Sequence, residues 1–107
     1  MQAYLKIAVQ EGERRAVLYL EGELDFASSS QLVEAIGRLG DRPRTVVVDL
    51  QGLTFIDMAG LRVLIAARDA AQQGARRLFL ARVPDPIRRV ITLAHVDALL
   101  PVLDGEG

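Results

Sequence analysis

The sequence contains no cysteine and no tryptophan, and its aromatic residues are two tyrosines and three phenylalanines. A chain without cysteine forms no disulfides and offers no thiolate ligands to a metal. Half of its 107 residues are nevertheless hydrophobic, which suffices to fill one core at this length. The composition therefore predicts a single domain over residues 1–107 that is held together by its hydrophobic core.

An excess of charge of one sign is also missing. The chain has 13 lysine and arginine residues against 14 aspartate and glutamate residues, and its formal net charge is −1. A surface that binds nucleic acid directly normally carries a basic excess. The basic pairs Arg14–Arg15, Arg76–Arg77 and Arg88–Arg89 lie far apart in the sequence, and we interpret them as solvated surface. We expect no direct nucleic-acid partner.

Long apolar runs are missing as well. A membrane-spanning helix needs about 20 consecutive apolar residues, and the apolar runs of this sequence are only a few residues long. The segment Met1–Lys6 lacks the basic region and apolar core of a secretory signal peptide. These features predict a cytoplasmic protein without membrane insertion.

Alternating apolar residues near the N-terminus indicate the first strand. Leu5, Ile7 and Val9 alternate with other residues, and this period of two is typical of a half-buried strand. Residues 11–14 indicate a hairpin turn, and the apolar, β-branched run 16–20 follows directly. The sequence therefore predicts an antiparallel pair of strands.

The next elements are a helix and a buried strand. Residues 22–26 interrupt the strand pattern, and the serines at 28–30 can begin a helix that stops at Gly40. The run 45–50 is apolar and β-branched without alternation, as in a strand that is buried on both faces. We therefore expect this strand in the centre of the sheet.

A second helix is predicted from about Met58 to Gln73. Residues 51–56 form an apolar segment that leads into it, Asp57 is a good N-cap, and Gly74 is a natural helix stop. Both ends of this helix are thus marked by residues that favour those positions.

The C-terminal part predicts a short strand at 77–81 and a third helix, with Asp85 as its cap and Pro86 at its first position. Asp97 can begin a last helical turn, and residues 102–107 are expected to form a frayed tail. Two strand–helix–strand units imply parallel strands with right-handed crossovers. The predicted fold class is α/β: a mixed four- to five-stranded sheet with the helices packed mainly on one face.

The sequence offers little for catalysis. Its one histidine, His95, lies at the end of an apolar helix, where a helix-terminal or packing role is more common than proton transfer. Motifs for binding phosphate or dinucleotides, or for a serine nucleophile, are absent. Asp25, Asp49 and Asp57 are interpreted as a turn residue, a strand end and a helix cap rather than as a metal site. We therefore expect no enzymatic activity and no cofactor.

The start of the second helix is the most distinctive segment for binding. One stripe, which contains Leu61 and Leu64, suits packing on the sheet. A second stripe is small enough to let another backbone approach, and it consists of Ala59, Val63, Ala66 or Ala67, and Ala70. Alanine also favours helices without any contact, so this stripe alone decides nothing. Met58 at the helix start is either a flexible apolar contact for a partner or a contact that pins the helix to the core.

Four segments of the chain together carry a family resemblance. Gly22–Asp25 and Val46–Leu50 match a Gly-Glu-Leu-Asp turn and a central strand, and Phe55–Leu64 matches a segment built around Asp-Ser-Ser-Gly-Leu. Val90–Leu100 matches a pair of last helices. Because the four segments occur in this order and at these spacings, the chain resembles the STAS domain of bacterial anti-sigma-factor antagonists over nearly its whole length. This resemblance implies the STAS fold.

The resemblance implies a protein-binding regulator. In that family the unphosphorylated domain binds an anti-sigma factor, typically a serine kinase, and the kinase breaks the complex by phosphorylating the serine after the motif's aspartate. In this sequence Met58 stands at that position and Ala59 follows it, and neither carries a hydroxyl group. We therefore expect an antagonist that is not switched by phosphorylation at the usual position.

Carried over by position, the resemblance places the partner contacts in the turn after the second strand and at the start of the second helix. In this scheme Asp57 caps the helix, Gly60 permits close approach of the partner, and Met58 makes apolar contact with it. The full set of expected contact residues is Asp25, Phe26, Ser28, Asp57, Met58, Ala59, Gly60, Arg62 and Val63.

The resemblance leaves two other functions open. The domain could be a STAS subunit of a transport or signalling complex, which would use much the same face. It could also be a module that senses a nucleotide or another small molecule. A homodimer stays open as well, since sheet edges can pair.

Overall fold

The computed structural model describes residues 4–103, with the backbone alone for Ser29. The described part of the chain forms five strands and three α-helices. The strands are β1 (Leu5–Glu11), β2 (Arg15–Leu24), β3 (Thr45–Ile56), β4 (Arg77–Ala81) and β5 (Val102–Leu103). The helices are α1 (Ser29–Gly37), α2 (Met58–Gln73) and α3 (Asp85–Leu93), and two 3₁₀ turns occupy Phe26–Ser28 and Asp97–Leu99.

The strands form one mixed sheet in the order β1-β2-β3-β4-β5. β1 pairs with β2 in antiparallel fashion, and the other three pairings are parallel. Because parallel crossovers are right-handed, strands added one after another in the same direction place their connecting helices on one face. This arrangement confirms the predicted mixed sheet, and it leaves the opposite face without a helix in the described part of the chain.

The hydrophobic core lies between the helices and one face of the sheet. Side chains alternate between faces along a strand, and the register aligns Leu18, Val48 and Leu80 in one row that is fully buried. α2 adds a buried stripe that includes Leu64 and Ala67. This packing holds α2 against the sheet and thereby sets the position of its first turn.

β2 and β3 are longer than the sequence predicts. β2 continues to Leu24 and β3 to Ile56, where the pattern predicts a turn and a lead-in segment. Register shifts near Gly22 let the parallel pairing continue. Gly22 has a φ of 111°, and a β-carbon on it would overlap the Tyr4 carbonyl oxygen, so glycine is required there. Such bulges shift the alternation of side chains. The sequence of the strand therefore lacks the regular alternation of apolar and polar residues by which strands are predicted.

The helix ends differ from the predictions in detail. α2 begins and ends as predicted, but the left-handed residue that follows it is Ala75, with a φ of 61°, rather than Gly74. α1 ends at Gly37, before the expected stop at Gly40. Gly40 and Gly74 therefore lie close to the ends of α1 and α2, but neither glycine adopts the left-handed conformation.

The C-terminal elements correct two predictions. The N-cap of α3 is Pro84, so Asp85 lies in the first turn instead of at the cap. The 3₁₀ turn that begins at Asp97 is confirmed. Val102 and Leu103 form β5 and pair with β4, so the prediction of a frayed tail is wrong for these two residues. Residues 104–107 lie outside the described residues.

Candidate partner-binding surface

The carboxyl ends of β2 and β3 bring two segments of the chain together. Leu24 and Ile56 are partners in the parallel register, and Asp25 and Asp57 follow them directly. The 3₁₀ turn Phe26–Ser28 therefore lies beside the first turn of α2, and the two elements are in contact. Segments that are distant in sequence thus form one continuous surface.

Asp25 and Ser28 shape the first of these segments. The backbone N–H of Ser28 donates to Oδ1 of Asp25 at 3.2 Å, and the backbone N–H of Asp25 donates to Oγ of Ser28 at 3.0 Å. The Ser28 hydroxyl also donates to the Glu23 carbonyl oxygen at 3.2 Å. These bonds satisfy a buried hydroxyl and fix the turn that carries Phe26 into solvent.

The second segment is a capped and closely packed helix start. Asp57 has extended backbone angles, and its Oδ1 accepts the backbone N–H of Gly60 at 2.8 Å, as an N-cap does. Gly60 is buried, and a β-carbon on it would overlap the Leu24 carbonyl oxygen. The start of α2 is therefore held tightly against the end of β2.

Large apolar side chains gather at this end of the sheet. Phe26 is 80% exposed, Met58 58% and Phe55 46%. Tyr4 is exposed too, and its carbonyl oxygen accepts a backbone N–H from the end of β2. Arg62 is exposed on α2 one turn after Met58. We name this set the apical surface: Tyr4, Phe26, Phe55, Met58 and Arg62.

The composition of the apical surface is typical of a protein–protein interface. It holds three of the chain's aromatic residues, which number only two tyrosines and three phenylalanines in all. Aromatic residues, methionine and arginine are enriched in interfaces, and contiguous exposed apolar side chains mark interaction sites. The arrangement is therefore suited to contact with another protein.

The predicted contact residues divide according to exposure. Phe26, Met58 and Arg62 are exposed, as contact with a partner requires. Asp25, Asp57 and Ala59 are partly exposed. The other three predicted residues are buried: Ser28, Gly60 and Val63.

The buried residues serve the fold instead of the surface. The close approach that Gly60 permits is to Leu24 of the same chain. Val63 and Ala67 belong to the hydrophobic core, and α1 contacts α2 directly. Val63 and Ala67 are therefore covered from within the domain, whereas Ala66 is exposed.

A comparison with protein families identifies the fold. A family model described as "Mlab, STAS domain" matches residues 7–101. The chain belongs to the STAS domain family. The anti-sigma-F factor antagonist RsfB of Mycobacterium tuberculosis is 32% identical over 94 residues, which cover 87% of this chain and 76% of that protein. A STAS-domain containing protein of Pseudomonas aeruginosa is 26% identical over 85 residues, which cover 79% and 84% respectively.

Solved STAS structures have the same architecture. An anti-sigma factor antagonist from Mycobacterium paratuberculosis matches with a TM-score of 0.79 at 25% identity, over 96% of this chain and 88% of that chain. Unphosphorylated SpoIIAA, an anti-sigma factor antagonist, matches with a TM-score of 0.71 over 94% of this chain and 90% of that chain. At 19% identity, this second likeness shows the fold alone. The STAS resemblance inferred from the sequence is confirmed.

Two residues of the apical surface of this STAS domain escape prediction from the sequence. Tyr4 precedes the first strand, and Phe55 lies in a segment that was expected to be an apolar lead-in. Phe55 is the register partner of Glu23 near the end of β2, and this pairing exposes its ring at the apical end. The scarcity of aromatic residues is the one signal in the sequence that could have singled them out.

The three aspartates considered as metal ligands have separate roles in the STAS fold. Asp25 shapes a turn and Asp57 caps a helix, as predicted. Asp49 lies within β3 rather than at its end, and its Oδ2 accepts a hydrogen bond from Nε of Arg82 at 2.7 Å. Among residues 4–103, no three acidic or histidine side chains gather as a metal site would require.

His95 has a φ of 61° just after α3, so it is the helix-terminal residue that the sequence predicts.

Across the part of the chain that the structure describes, no helix combines the length and apolar character needed to cross a membrane.

Asp57→Ala is expected to lower the free energy of unfolding by about 1 kcal/mol, because the Gly60 N–H loses its acceptor. Asp57→Asn is expected to retain most of the stability, since asparagine caps helices about as well as aspartate. Thermal unfolding followed by circular dichroism measures both changes. An equal loss in the two variants would show that the charge of Asp57, and not its capping hydrogen bond, stabilises the start of α2.

Proposed function

We propose that this STAS domain is an anti-sigma-factor antagonist that binds an anti-sigma factor through its apical surface and so withdraws it from a sigma factor. The exposed cluster of Phe26, Phe55 and Met58 is the observation that carries this proposal. The relationship to RsfB, an anti-sigma-F factor antagonist that is 32% identical, supports it. The domain acts by binding and performs no reaction.

The apical surface is ordered before a partner arrives. The Asp25–Ser28 bonds hold the turn that presents Phe26, and the Asp57 cap holds the turn that presents Met58. A preordered surface loses little conformational entropy on binding. Covering these apolar side chains contributes roughly 25 cal/mol per Å² removed from water.

The charges around the apical surface indicate the chemistry of the partner. Asp25 and Asp57 are partly exposed beside Phe26 and Met58, and Arg62 is the one basic residue of the apical surface. An apolar centre with an acidic margin fits an anti-sigma factor whose contact face is apolar with a basic margin, because complementary charges favour the correct encounter.

The residues at 58 and 59 determine the regulation that we propose. A phosphate group adds about −1.5 to −2 charges and disrupts an apolar contact, but Met58 and Ala59 have no hydroxyl to accept one. The Ser28 hydroxyl, close by, is buried and fully engaged in hydrogen bonds. Phosphorylation at position 58 therefore cannot break the complex with an anti-sigma factor of the serine-kinase class, and we expect this complex to persist in the presence of ATP.

Met58→Asp tests the proposed interface. We expect this variant to bind the anti-sigma factor at least about tenfold more weakly, because a charge replaces an apolar contact at the centre of the interface. Its melting temperature is expected to stay near that of the wild type, because Met58 is 58% exposed. Calorimetric titration against the purified serine-kinase anti-sigma factors of the source organism measures the affinity, with ATP or with a non-hydrolysable analogue present.

Leu93→Asp is the matched control, since Leu93 is a 71% exposed apolar residue on α3, away from the apical surface. This variant is expected to bind as the wild type does. Full affinity of Met58→Asp would contradict the interface, and loss of the wild-type complex only with hydrolysable ATP would contradict the unswitched regulation. Binding to subunits of a transport or signalling complex, and to no anti-sigma factor, would favour that second function.

A further inference from the structure

The face of the sheet opposite the helices is a second surface with its own composition. Parallel strands normally lie in sheets that are covered on both faces, and β2, β3, β4 and β5 are parallel here. The helices cover one face only within residues 4–103. We name the other the bare face, and its residues are Lys6, Ala8, Arg15, Val17, Tyr19, Thr45, Val47, Asp49, Arg77, Phe79, Ala81 and Leu103.

An apolar row crosses the middle of the bare face. Val17, Val47 and Phe79 are aligned by the parallel register. Val47 stays outside the main hydrophobic core although its two neighbours in sequence belong to it. A hollow of about 300 Å³ lies beside this row, with Tyr19 and Leu103 in its lining. Val47 itself is only 4% exposed, whereas Val17 and Phe79 are partly exposed, so the apolar surface that a partner can cover lies on these two side chains and along the hollow.

A basic margin flanks the apolar row at the amino ends of the strands. Arg15, Thr45 and Arg77 form the next row in the register, and the Arg77 guanidinium lies 5.3 Å from the centre of the Phe79 ring. Among residues 4–103, no carboxylate oxygen lies within 4.0 Å of the guanidinium of Arg15 or Arg77. These two charges are available to an anionic partner.

The basic character extends beyond these two residues. Backbone hydrogen bonds join Arg44 to Arg14 and Arg77 to Arg44 at the same end of the sheet. The fold thus gathers two of the three basic pairs that are far apart in the sequence. Arg14, Arg15 and Arg77 are exposed, as the interpretation of these pairs as solvated surface requires, but the fold brings them together at one end of the sheet.

The remaining charges of the bare face are balanced. Asp49 is paired with Arg82 at 2.7 Å, and Lys6 is the register partner of Glu21 in the antiparallel pair. The uncompensated charge of this face is therefore positive and lies at the end that holds Arg15 and Arg77.

We infer that the bare face binds an amphipathic α-helix of a partner protein whose apolar stripe is flanked by carboxylates. A helix laid along β3 would cross this row and place one turn of its apolar stripe over Val47, between Val17 and Phe79. Arg15 and Arg77 lie on the two strands beside β3, about 10 Å apart, and a helix with its side chains is about 10–12 Å wide. Each arginine can therefore meet a carboxylate on one margin of the helix.

This surface is independent of the proposed anti-sigma contact. The apical surface lies at the carboxyl ends of β2 and β3, whereas Arg15 and Arg77 lie at the amino ends of β2 and β4. The domain can engage both partners at once, so it can connect them.

The test uses a designed helical peptide of about 18 residues, long enough to form an isolated helix, with leucine on one face and glutamate on both margins. Its affinity for the full chain is measured by fluorescence anisotropy at low and at physiological salt. The double variant Arg15→Glu, Arg77→Glu is expected to bind at least about tenfold more weakly than the wild type, and salt is expected to weaken the wild-type complex.

Two controls separate this site from general charge and from the apical surface. The double variant Arg88→Glu, Arg89→Glu makes the same change of charge at exposed positions of α3 and is expected to change affinity by less than about twofold, since charges far apart are screened. Met58→Asp is expected to bind the peptide as the wild type does. Circular dichroism shows whether each variant is folded.

Several results would overturn the inference. Equal affinity of the wild type and the Arg15→Glu, Arg77→Glu variant would do so, as would equal binding of a peptide with lysine in place of glutamate. Tighter binding to phosphatidylglycerol vesicles or to duplex DNA, lost in the same variant, would assign the surface to a lipid or nucleic acid. A wild-type dimer that this variant converts to a monomer would assign it to a second copy of the chain.

Discussion

Gly60→Ala is expected to lower the free energy of unfolding by about 3 kcal/mol or more, or to prevent folding altogether. The new β-carbon would overlap the Leu24 carbonyl oxygen and lie 2.7 Å from Cγ1 of Ile56. Neither neighbour can yield easily, because Leu24 and Ile56 are buried partners in the parallel register. Denaturant unfolding followed by circular dichroism measures the change, and a loss of this size lowers the melting temperature by about 12 °C or more.

Gly37→Ala is the matched control for this prediction. Gly37 is also a helical glycine, the last residue of α1, but a β-carbon on it would meet nothing within 4 Å. Alanine favours a helix over glycine by up to about 1 kcal/mol, so this variant is expected to gain stability. Similar changes in the two variants would mean that helix propensity, and not the close approach at Leu24, governs the effect at position 60.

Arg82→Ala is expected to lower the free energy of unfolding by about 2 kcal/mol. The substitution leaves the Asp49 carboxylate, which is only 6% exposed, with the Gln51 N–H as its remaining partner. Removing one member of a fully buried ion pair costs about 3–5 kcal/mol, and the smaller value follows because the Arg82 side chain is 41% exposed. Arg88→Ala, at an exposed position of α3, is expected to change stability by less than about 0.5 kcal/mol.

A second substitution isolates the cause. Asp49→Asn in the Arg82→Ala background removes the unpaired charge but keeps an acceptor for the Gln51 N–H. We expect the double variant to regain about 1 kcal/mol relative to Arg82→Ala. Arg82 has a φ of 50°, and alanine is used there because glycine would also relieve the backbone and confuse the comparison. No recovery would show that lost packing of the arginine stem, not the unpaired carboxylate, causes the destabilisation.

The helix α2 shows what local sequence information predicts well. Its start and end agree with the prediction because Asp57 supplies a cap to the nearest turn and because apolar residues recur at the helical period. These interactions join residues within four positions of each other. The same holds for the hairpin of β1 and β2, whose turn is only a few residues long.

The strand extensions show where local information fails. Residues 51–56 continue β3 only because the end of β2 lies beside them and accommodates the register shifts with Gly22. Considered without β2, the sequence of residues 51–56 shows no regular alternation of apolar and polar residues. The same pairing exposes Phe55, so the error in the strand led directly to the omission of a residue from the apical surface.

Three residues of the predicted contact set are buried for a related reason. Position along a family motif does not state which side of a helix faces the sheet. Gly60 and Val63 lie on the inner side of α2, and Met58 and Arg62 lie on the outer side. Ser28 is a polar residue, which suggests an exposed position, but its hydroxyl group accepts a hydrogen bond that closes a turn.

Local sequence information suffices to predict the fold class, the limits of α2 and the family resemblance, and it shows that the family's switch position has no hydroxyl group. These properties depend on composition, on local spacing and on the identity of single residues. The pairing of distant segments is needed to show which residues form the apical surface, that Val63 and Ala67 are covered from within the domain, and that Arg15 and Arg77 border the bare face. The physical reason is that parallel strand pairing places residues side by side that are tens of positions apart in the chain.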